Sequence, residues 1–205
     1  MEYAVIQNDE VLAKTVAALN AEGMQAEVLD TKDGALAKIK ELIPKGASVM
    51  NGSSRTLEQI GFVEYLKGGS HGWNNLHEMI LAEKDPTKQS VLRKQSSLSD
   101  FYLGSVHALA QTGEIVIASN SGSQLPHIAF TSQNIIFVVG AQKIAPDLTS
   151  ALSRVRDYVL PLEDARMKEV GMGGSFISKL LILFREPSFM GRKVHVLIVK
   201  EQLGF

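Results

Sequence analysis

The sequence predicts an α/β protein with a mostly parallel central sheet flanked by helices. Helical and strand-like patterns alternate from the first residue to about residue 160, as in proteins built on a parallel sheet. Two near-continuous apolar runs, Ile115–Ala118 and Ile135–Val139, are typical of strands buried on both faces. The chain of 205 residues is long enough for one full core, and we expect a single domain over residues 1–205.

The amino-terminal half begins this alternation. Apolar residues recur at helical spacing over 8–22, and Gly23 ends that helix. The stretch 66–98 is the least regular part of the chain because it is rich in turn residues. The other predicted elements of this half are a strand over 25–29, a helix over 33–42, a strand over 47–50, a helix over 56–65 and a polar helix over 87–97.

Strands carry most of the predicted second half. A tight turn at Thr112-Gly113 precedes the first apolar run, and alternating apolar residues predict a strand over 193–199. A helix is predicted over 148–155. We expect 159–162 to be extended and 163–175 to be irregular, since the latter stretch is rich in glycine and methionine.

Composition excludes several classes of function. A formal net charge of -1 argues against a protein that grips nucleic acid through its phosphates. The chain has no cysteine, which excludes a thiol nucleophile and an iron–sulfur cluster held by this chain alone. No histidine pair has metalloprotease spacing, so we expect no metal site. The start lacks a secretory pattern, and the longest late apolar run, 176–184, is too short to span a membrane, so we expect a cytoplasmic protein.

The first candidate site segment joins a predicted strand to a predicted helix. Free backbone N–H groups at a helix start favour an anion, and the Arg55 guanidinium can add a charged fork to a carboxylate or phosphate. The alternative is that Ser53 or Ser54 simply caps the helix and Arg55 is solvated. The candidate ligand-binding residues here are Asn51, Gly52, Ser53, Ser54, Arg55 and Thr56.

The second candidate segment is the turn that contains Thr112 and Gly113. It places Glu114 at the start of a strand, where a carboxylate facing a pocket can act as a base or nucleophile. We therefore take Thr112 and Gly113 as candidate ligand-binding residues and Glu114 as the candidate catalytic residue. The alternative is an exposed glutamate in an ordinary turn.

Two further candidates follow the buried strands. The polar loop after Ala118 offers Asn120 and Ser123, although an ordinary polar loop has the same composition. Lys143 follows the second apolar run and can lie over the carboxyl end of the sheet, with a solvated lysine as the alternative. Among the histidines, His127 is the candidate for a site role, against a structural hydrogen bond.

These stretches together resemble the LUD domain family, the lactate-utilisation family of bacterial proteins. The resemblance implies the α/β fold shared with sugar-phosphate isomerases, CoA transferases and formyltetrahydrofolate cyclo-ligase. It also implies a role in oxidising lactate or a related organic acid, with an iron–sulfur partner. The matching stretches are NGSSRTLEQIG (51–61), DFYLGSVHALAQTGEIV (100–116), LPHIAFTSQNIIFVVGAQKIAPDLTSAL (125–152) and RKVHVLIVKEQLGF (192–205).

The chain departs from this family in one respect that bears on function. Many short relatives carry a cysteine cluster in the region that corresponds to 171–189, which has no cysteine here. The leading hypothesis is therefore an accessory subunit that binds a small anionic metabolite through Arg55 and Lys143, with the iron–sulfur cluster in a partner protein. The alternative is a stand-alone enzyme of the CoA transferase or cyclo-ligase kind that uses Glu114. The sequence leaves open whether the protein is catalytic and whether it forms a homo-oligomer.

Overall fold

A computed structural model describes residues 2–205 and contains two sheets. The larger sheet has six strands, all parallel to their neighbours, and the smaller has four. The strands are β1 (Gln25–Leu29), β2 (Ser48–Asn51), β3 (Asn74–Asn75), β4 (Phe101–Gly104), β5 (Ala108–Ala110), β6 (Ile115–Ser119), β7 (Asn134–Gly140), β8 (Ile144–Ala145), β9 (Lys179–Leu183) and β10 (Lys193–Val199). The orders are β1-β10-β7-β4-β2-β3 and β8-β5-β6-β9.

Helices flank the larger sheet, and one further helix, over Leu148–Arg154, packs on the smaller sheet. Side-chain oxygens cap several of their starts; Asn8, for example, accepts a hydrogen bond from the Val11 N–H. The predicted helix over 56–65 is interrupted because Gly61 adopts a left-handed conformation with φ 76°. The helices are α1 (Asp9–Ala21), α2 (Lys32–Leu42), α3 (Arg55–Gln59), α4 (Phe62–Lys67), α5 (Leu76–Ala82), α6 (Pro86–Gln95), α7 (Leu148–Arg154) and α8 (Leu160–Glu169).

The six-stranded sheet is buried on both faces. One face packs Ile136 and Val138 of β7 against α2, α3 and α4. The other packs Ile135, Phe137 and Val139 against α1 and the smaller sheet. This double burial explains why β7 has a continuous apolar sequence rather than an alternating one. The predicted α/β class, with a mostly parallel sheet flanked by helices, is confirmed.

The smaller sheet is built around a hairpin. β5 and β6 pair antiparallel, with Ala108 opposite Val116, and Gly113 closes the turn with φ 105°. A parallel pair would need a crossover of about a dozen residues or more, which the short Thr112-Gly113 turn cannot supply. The apolar run 115–118 is therefore a buried strand, as predicted, but it lies in the second sheet.

The expected extended structure over 159–162 is wrong, and the irregular structure expected for 163–175 is found only over 170–175. A wide helical turn over Val155–Val159 joins α7 to α8, so the chain is helical from Leu148 to Glu169. Pro161 lacks a backbone N–H. It lies in the first turn of α8, directly after the wide turn, where a proline is tolerated.

Gly140 allows close approach of the carboxyl-terminal segment. A Cβ added there would lie 2.7 Å from the Leu203 nitrogen and 2.9 Å from the Glu201 carbonyl oxygen. We expect Gly140→Ala to lower the free energy of unfolding by about 2–3 kcal/mol in urea denaturation, as overpacking against backbone does. Gly34→Ala is the control: its Cβ meets only an ordinary contact in α2, so a gain of about 0.5–1 kcal/mol is expected. Equal stability of the wild-type and Gly140→Ala proteins would contradict this account.

Within residues 2–205, no helix is both long and apolar enough to cross a membrane. The single domain stays a prediction.

Candidate functional site

A cavity of about 570 Å³ lies at the carboxyl ends of four strands. Three of them, β2, β4 and β7, are neighbours in the larger sheet, and the fourth is β6 of the smaller one. The cavity is lined by Gly52, which follows β2, by Ser105, which follows β4, by Asn120, which follows β6, and by Lys143, which follows β7. Parallel strands deliver their following loops to one edge of the sheet, which is where α/β proteins bind ligands.

The loop after β2 contributes every residue from Gly52 to Thr56 to the lining. Ser54 also caps α3, since its Oγ accepts a hydrogen bond of 3.3 Å from the Leu57 N–H. Arg55 is paired with Glu58 at 2.7 Å. Asn51 is the exception among the candidates in this loop, because it is buried and does not line the cavity.

Lys143 is a buried cation at one end of the cavity. It is only 3% exposed, and its Nζ donates to Thr56 Oγ1 at 3.2 Å, to Ser105 Oγ at 3.1 Å and to the Val106 carbonyl at 3.1 Å. Both hydroxyls direct their own hydrogens elsewhere, Ser105 to the Val138 carbonyl and Thr56 to the Leu203 carbonyl. Three such donated hydrogen bonds use all three hydrogens of the ammonium form of Nζ.

No carboxylate compensates this charge. Burial, and to a smaller extent the charge of Arg154, lowers the pKa of Lys143 from 10.5 to about 7. Arg154 is itself 1% exposed and donates to the His107 carbonyl. Neither cation forms an ion pair within residues 2–205. Buried charges in proteins are ordinarily paired, so the site has a deficit of negative charge.

Two neutral groups also line the cavity. The Tyr102 hydroxyl is buried there; the Gly52 backbone N–H approaches its oxygen, and its own hydrogen has no acceptor. A Cβ on Gly52 would lie 2.7 Å from it, so glycine is what lets the phenol reach the cavity. His107 Nδ1 accepts from the Ala118 N–H at 3.2 Å, which leaves the proton on Nε2. Burial, followed by the charges of Lys143 and Arg154, lowers the pKa of His107 to about 3, so its ring is neutral.

His127 supports the site without lining it. Its ring stacks on Tyr102 with centroids 4.5 Å apart, and its Nδ1 lies 3.1 Å from Ser132 Oγ and 3.3 Å from Ser99 Oγ. Burial lowers the pKa of His127 to about 4. Its role is the structural hydrogen bond that was the alternative interpretation.

One helical wall of the cavity was not foreseen. It is the face of the wide turn and α8 that carries Val155, Val159, Leu160, Glu163, Arg166 and Met167. Because 163–175 was expected to be irregular, this helical face was not predicted. Tyr102 and the Ser105–His107 loop were also missed, because a strand buried on both faces gives no sequence signal for the direction of each side chain.

The charges around the cavity are mostly positive. Arg55, Arg93, Lys143 and Arg166 line it, and Glu163 is the one carboxylate among the lining residues, already paired with Arg166 at 2.6 Å. This excess favours an anionic ligand.

The structure does not bring Thr112, Gly113 and Glu114 to this cavity. They form the turn at the start of β6, whereas the cavity lies at the other end of that strand, beyond Ser119. The antiparallel hairpin is the reason, since it places the turn and the loop after Ser119 at opposite ends of β6. The Glu114 carboxylate accepts a hydrogen bond from the Thr112 hydroxyl.

The family model for the LUD domain matches residues 12–199. The chain belongs to the LUD domain family. The structure of this LUD domain is similar to a crystal structure of a DUF162 family protein from Deinococcus radiodurans, with a TM-score of 0.55 and 13% sequence identity. The similarity covers 95% of this chain and 99% of that one, and at this identity it supports the fold alone. A search among curated proteins finds no match to the LUD domain described here.

Across residues 2–205, no group of three or more His, Cys, Asp or Glu side chains is arranged to hold a metal ion. The sequence has no cysteine, so the residues of this LUD domain do not fit an iron–sulfur cluster. The prediction that this chain itself carries no cofactor stays a prediction.

The Tyr102 hydroxyl offers a test of the site that leaves the fold intact. We expect Tyr102→Phe to weaken anion binding about 10-fold, the effect of one hydrogen bond to a charged group. Stability should be equal or slightly higher, because the variant loses a buried hydroxyl whose hydrogen has no acceptor. Calorimetric titration and thermal denaturation measure the two effects. A large loss of stability with unchanged affinity would contradict a ligand contact.

Proposed function

We propose that this LUD domain protein binds a small organic anion, of the lactate type, in the cavity at the carboxyl ends of its strands. The observation that carries the proposal is Lys143, a buried ammonium with three neutral acceptors and no carboxylate. An anion would supply the missing negative charge. The excess of cationic side chains around the cavity supports the same conclusion.

The strand-end residues have distinct parts in this proposal. The ligand carboxylate lies against Lys143 and replaces Thr56, whose hydrogen bond of 3.2 Å is the longest of the three. Tyr102 donates its unpartnered hydroxyl hydrogen to the second carboxylate oxygen. Ser53, Asn120 and Ser123 offer neutral hydrogen bonds to the rest of the ligand, and Arg55 adds positive charge at the cavity edge.

The biological role that we propose is organic-acid utilisation in the cytoplasm, as an accessory subunit of an oxidising complex. Family membership supports lactate-type chemistry. Electrons removed from such an acid need an acceptor, and a chain without cysteine cannot supply an iron–sulfur cluster. The cluster therefore belongs to a partner protein, and co-purification of this chain with an iron–sulfur protein is the test of the partnership.

A stand-alone enzyme of the CoA transferase or cyclo-ligase kind, working through Glu114, has less support. Glu114 lies at the start of β6, away from Lys143 and the cavity. The residues that line the described cavity are therefore not placed to assist Glu114 as a nucleophile or base.

The test of anion binding is a titration of the protein with lactate, pyruvate, glycolate and inorganic phosphate. Binding is measured by calorimetry and by the change in melting temperature. Binding to the folded state raises the melting temperature. We expect a rise with at least one organic acid, lost in Lys143→Gln and retained in Lys14→Gln, the control at an exposed position on α1. No binding by any of the four anions, or equal binding by Lys143→Gln, would overturn the proposal.

A further inference from the structure

One wall of the cavity is apolar. Val155, Val159 and Leu160 line it from the wide turn and the start of α8. Val155 and Val159 are 2% and 4% exposed, so this wall is the deep part of the cavity. None of these three side chains can hydrogen-bond to a small hydroxy acid.

The apolar wall adjoins the cation. The Val106 carbonyl accepts from Lys143 Nζ at 3.1 Å, and the carbonyl of the next residue, His107, accepts from Arg154. Arg154 directly precedes Val155 in the chain. The Val106–His107 loop therefore contacts both Lys143 and Arg154, the residue that precedes the apolar wall. The ammonium group and the apolar wall are thus close enough for a single ligand to contact both.

Apolar side chains also surround the mouth of the cavity. Met172 and Phe176 line it while 67% and 62% exposed, and Met167 and Ile177 line it in half-buried positions. Large apolar side chains grouped at a cleft mark a surface that is covered in function. At about 570 Å³, the cavity falls within the range that encloses most of a drug-sized ligand, well beyond the few heavy atoms of lactate.

We propose that the ligand is an amphipathic carboxylate, with its carboxylate at Lys143 and an aliphatic or aryl body lying along Val155, Val159 and Leu160 toward the mouth. This inference rests on the proposed function, because it assumes that Lys143 holds the anion. It extends the proposed ligand class from small acids of the lactate type to longer organic acids that carry the same carboxylate. The neutral His107 ring lies where the polar and apolar parts of the ligand meet.

The experiment is a calorimetric titration with the straight-chain carboxylates from acetate to octanoate at constant pH and salt. Each methylene that enters the apolar part should tighten binding about 4-fold, because burying one is worth about 0.8 kcal/mol. The affinity should rise along the series until the chain reaches the mouth.

Matched variants separate the two ends of the ligand. Lys143→Gln should weaken every member of the series by the same factor. Leu160→Ser should weaken octanoate about 4- to 16-fold, as for one or two methylene contacts, and leave acetate unchanged. Leu162→Ser, a half-buried leucine of the same helix outside the lining, is the control and should behave as the wild type.

The two proposals fail in different ways. Equal affinity for acetate and octanoate, with both lost in Lys143→Gln, would overturn the amphipathic ligand and leave the anion site standing. The affinity could also rise with chain length equally in Leu160→Ser and Leu162→Ser. That result would place the apolar body of the ligand elsewhere and overturn this inference. Binding that does not depend on Lys143 would overturn the proposed function itself.

Discussion

Replacing Lys143 with methionine is expected to raise the melting temperature of the protein while abolishing its anion binding. Burial lowers the pKa of Lys143 from 10.5 to about 7, which corresponds to about 5 kcal/mol of destabilisation of the charged form. Methionine fills a similar volume without charge, but leaves the three acceptors of Nζ without this donor, at about 1 kcal/mol each. The net gain is about 1–2 kcal/mol, or a rise of about 3–6 °C.

The stability gained by Lys143→Met should depend on pH if it comes from removal of the buried charge. A gain that came only from better packing would not depend on pH. Both the folded and the unfolded wild type carry a charged Lys143 below pH 7, so the destabilisation is fully present there. Between pH 7 and 10.5 the folded protein releases the proton first, and the wild type gains stability relative to the variant. The wild type gains about 2.7 kcal/mol between pH 6 and pH 9, which is more than the advantage of the variant. Urea denaturation should therefore show the variant as the more stable protein at pH 6 and the less stable one at pH 9. A variant that is less stable than wild type at both pH values would contradict the account.

Anion affinity is expected to fall steeply above neutral pH. The ligand binds the ammonium form of Lys143, whose pKa in the free protein is about 7. Affinity should be constant well below pH 7 and then fall about 10-fold per pH unit, to about 100-fold weaker binding at pH 9 than at pH 6. Proton uptake on binding at pH 8, measured by calorimetry in buffers of different ionisation enthalpy, checks the same linkage.

Neighbouring groups do not titrate over this range. His107, with a pKa lowered to about 3, stays neutral, and Arg154, with a pKa lowered to about 10, stays charged. Burial raises the pKa of the Tyr102 phenol, which therefore keeps its proton. We therefore expect the anion affinity to change with a single pKa near 7. A second step in its pH dependence, or an affinity that does not depend on pH, would exclude Lys143 as the group that binds the anion.

The alternation of elements made the fold class predictable, whereas the assignment of strands to sheets was not. Apolar runs such as 135–139 identify buried strands because a sheet covered on both faces needs continuous apolar residues. The same pattern occurs in β6, which lies in the other sheet, since local sequence does not specify the partner of a strand. The helix predicted over 148–155 continues to Glu169, because a wide turn over Val155–Val159 accommodates Pro161.

The candidate site was predictable where residues follow strands, and Asn120 and Ser123, which follow β6 of the smaller sheet, also line the cavity. Gly52–Thr56 and Lys143 follow β2 and β7, and a parallel sheet brings such residues to one edge. Glu114 was associated with them by a turn motif, but the antiparallel pairing of β5 and β6 directs that turn to the other end. The contribution of Tyr102 depends on which face of β4 it occupies, which the sequence of a doubly buried strand does not encode.

The position of β10 constrains how the chain reaches its native state. β10 is the last strand in the chain, yet it lies between β1 and β7 in the six-stranded sheet, with Val196 beside Ala26 on one side and Phe137 on the other. While the ribosome is still making the segment before residue 193, β1 has no neighbour and β7 has an open edge. Both are edges with unpaired backbone groups that other chains can join. Completion of the larger sheet therefore waits until residues 193–199 have been made, and a nascent chain stalled before residue 193 keeps both edges open.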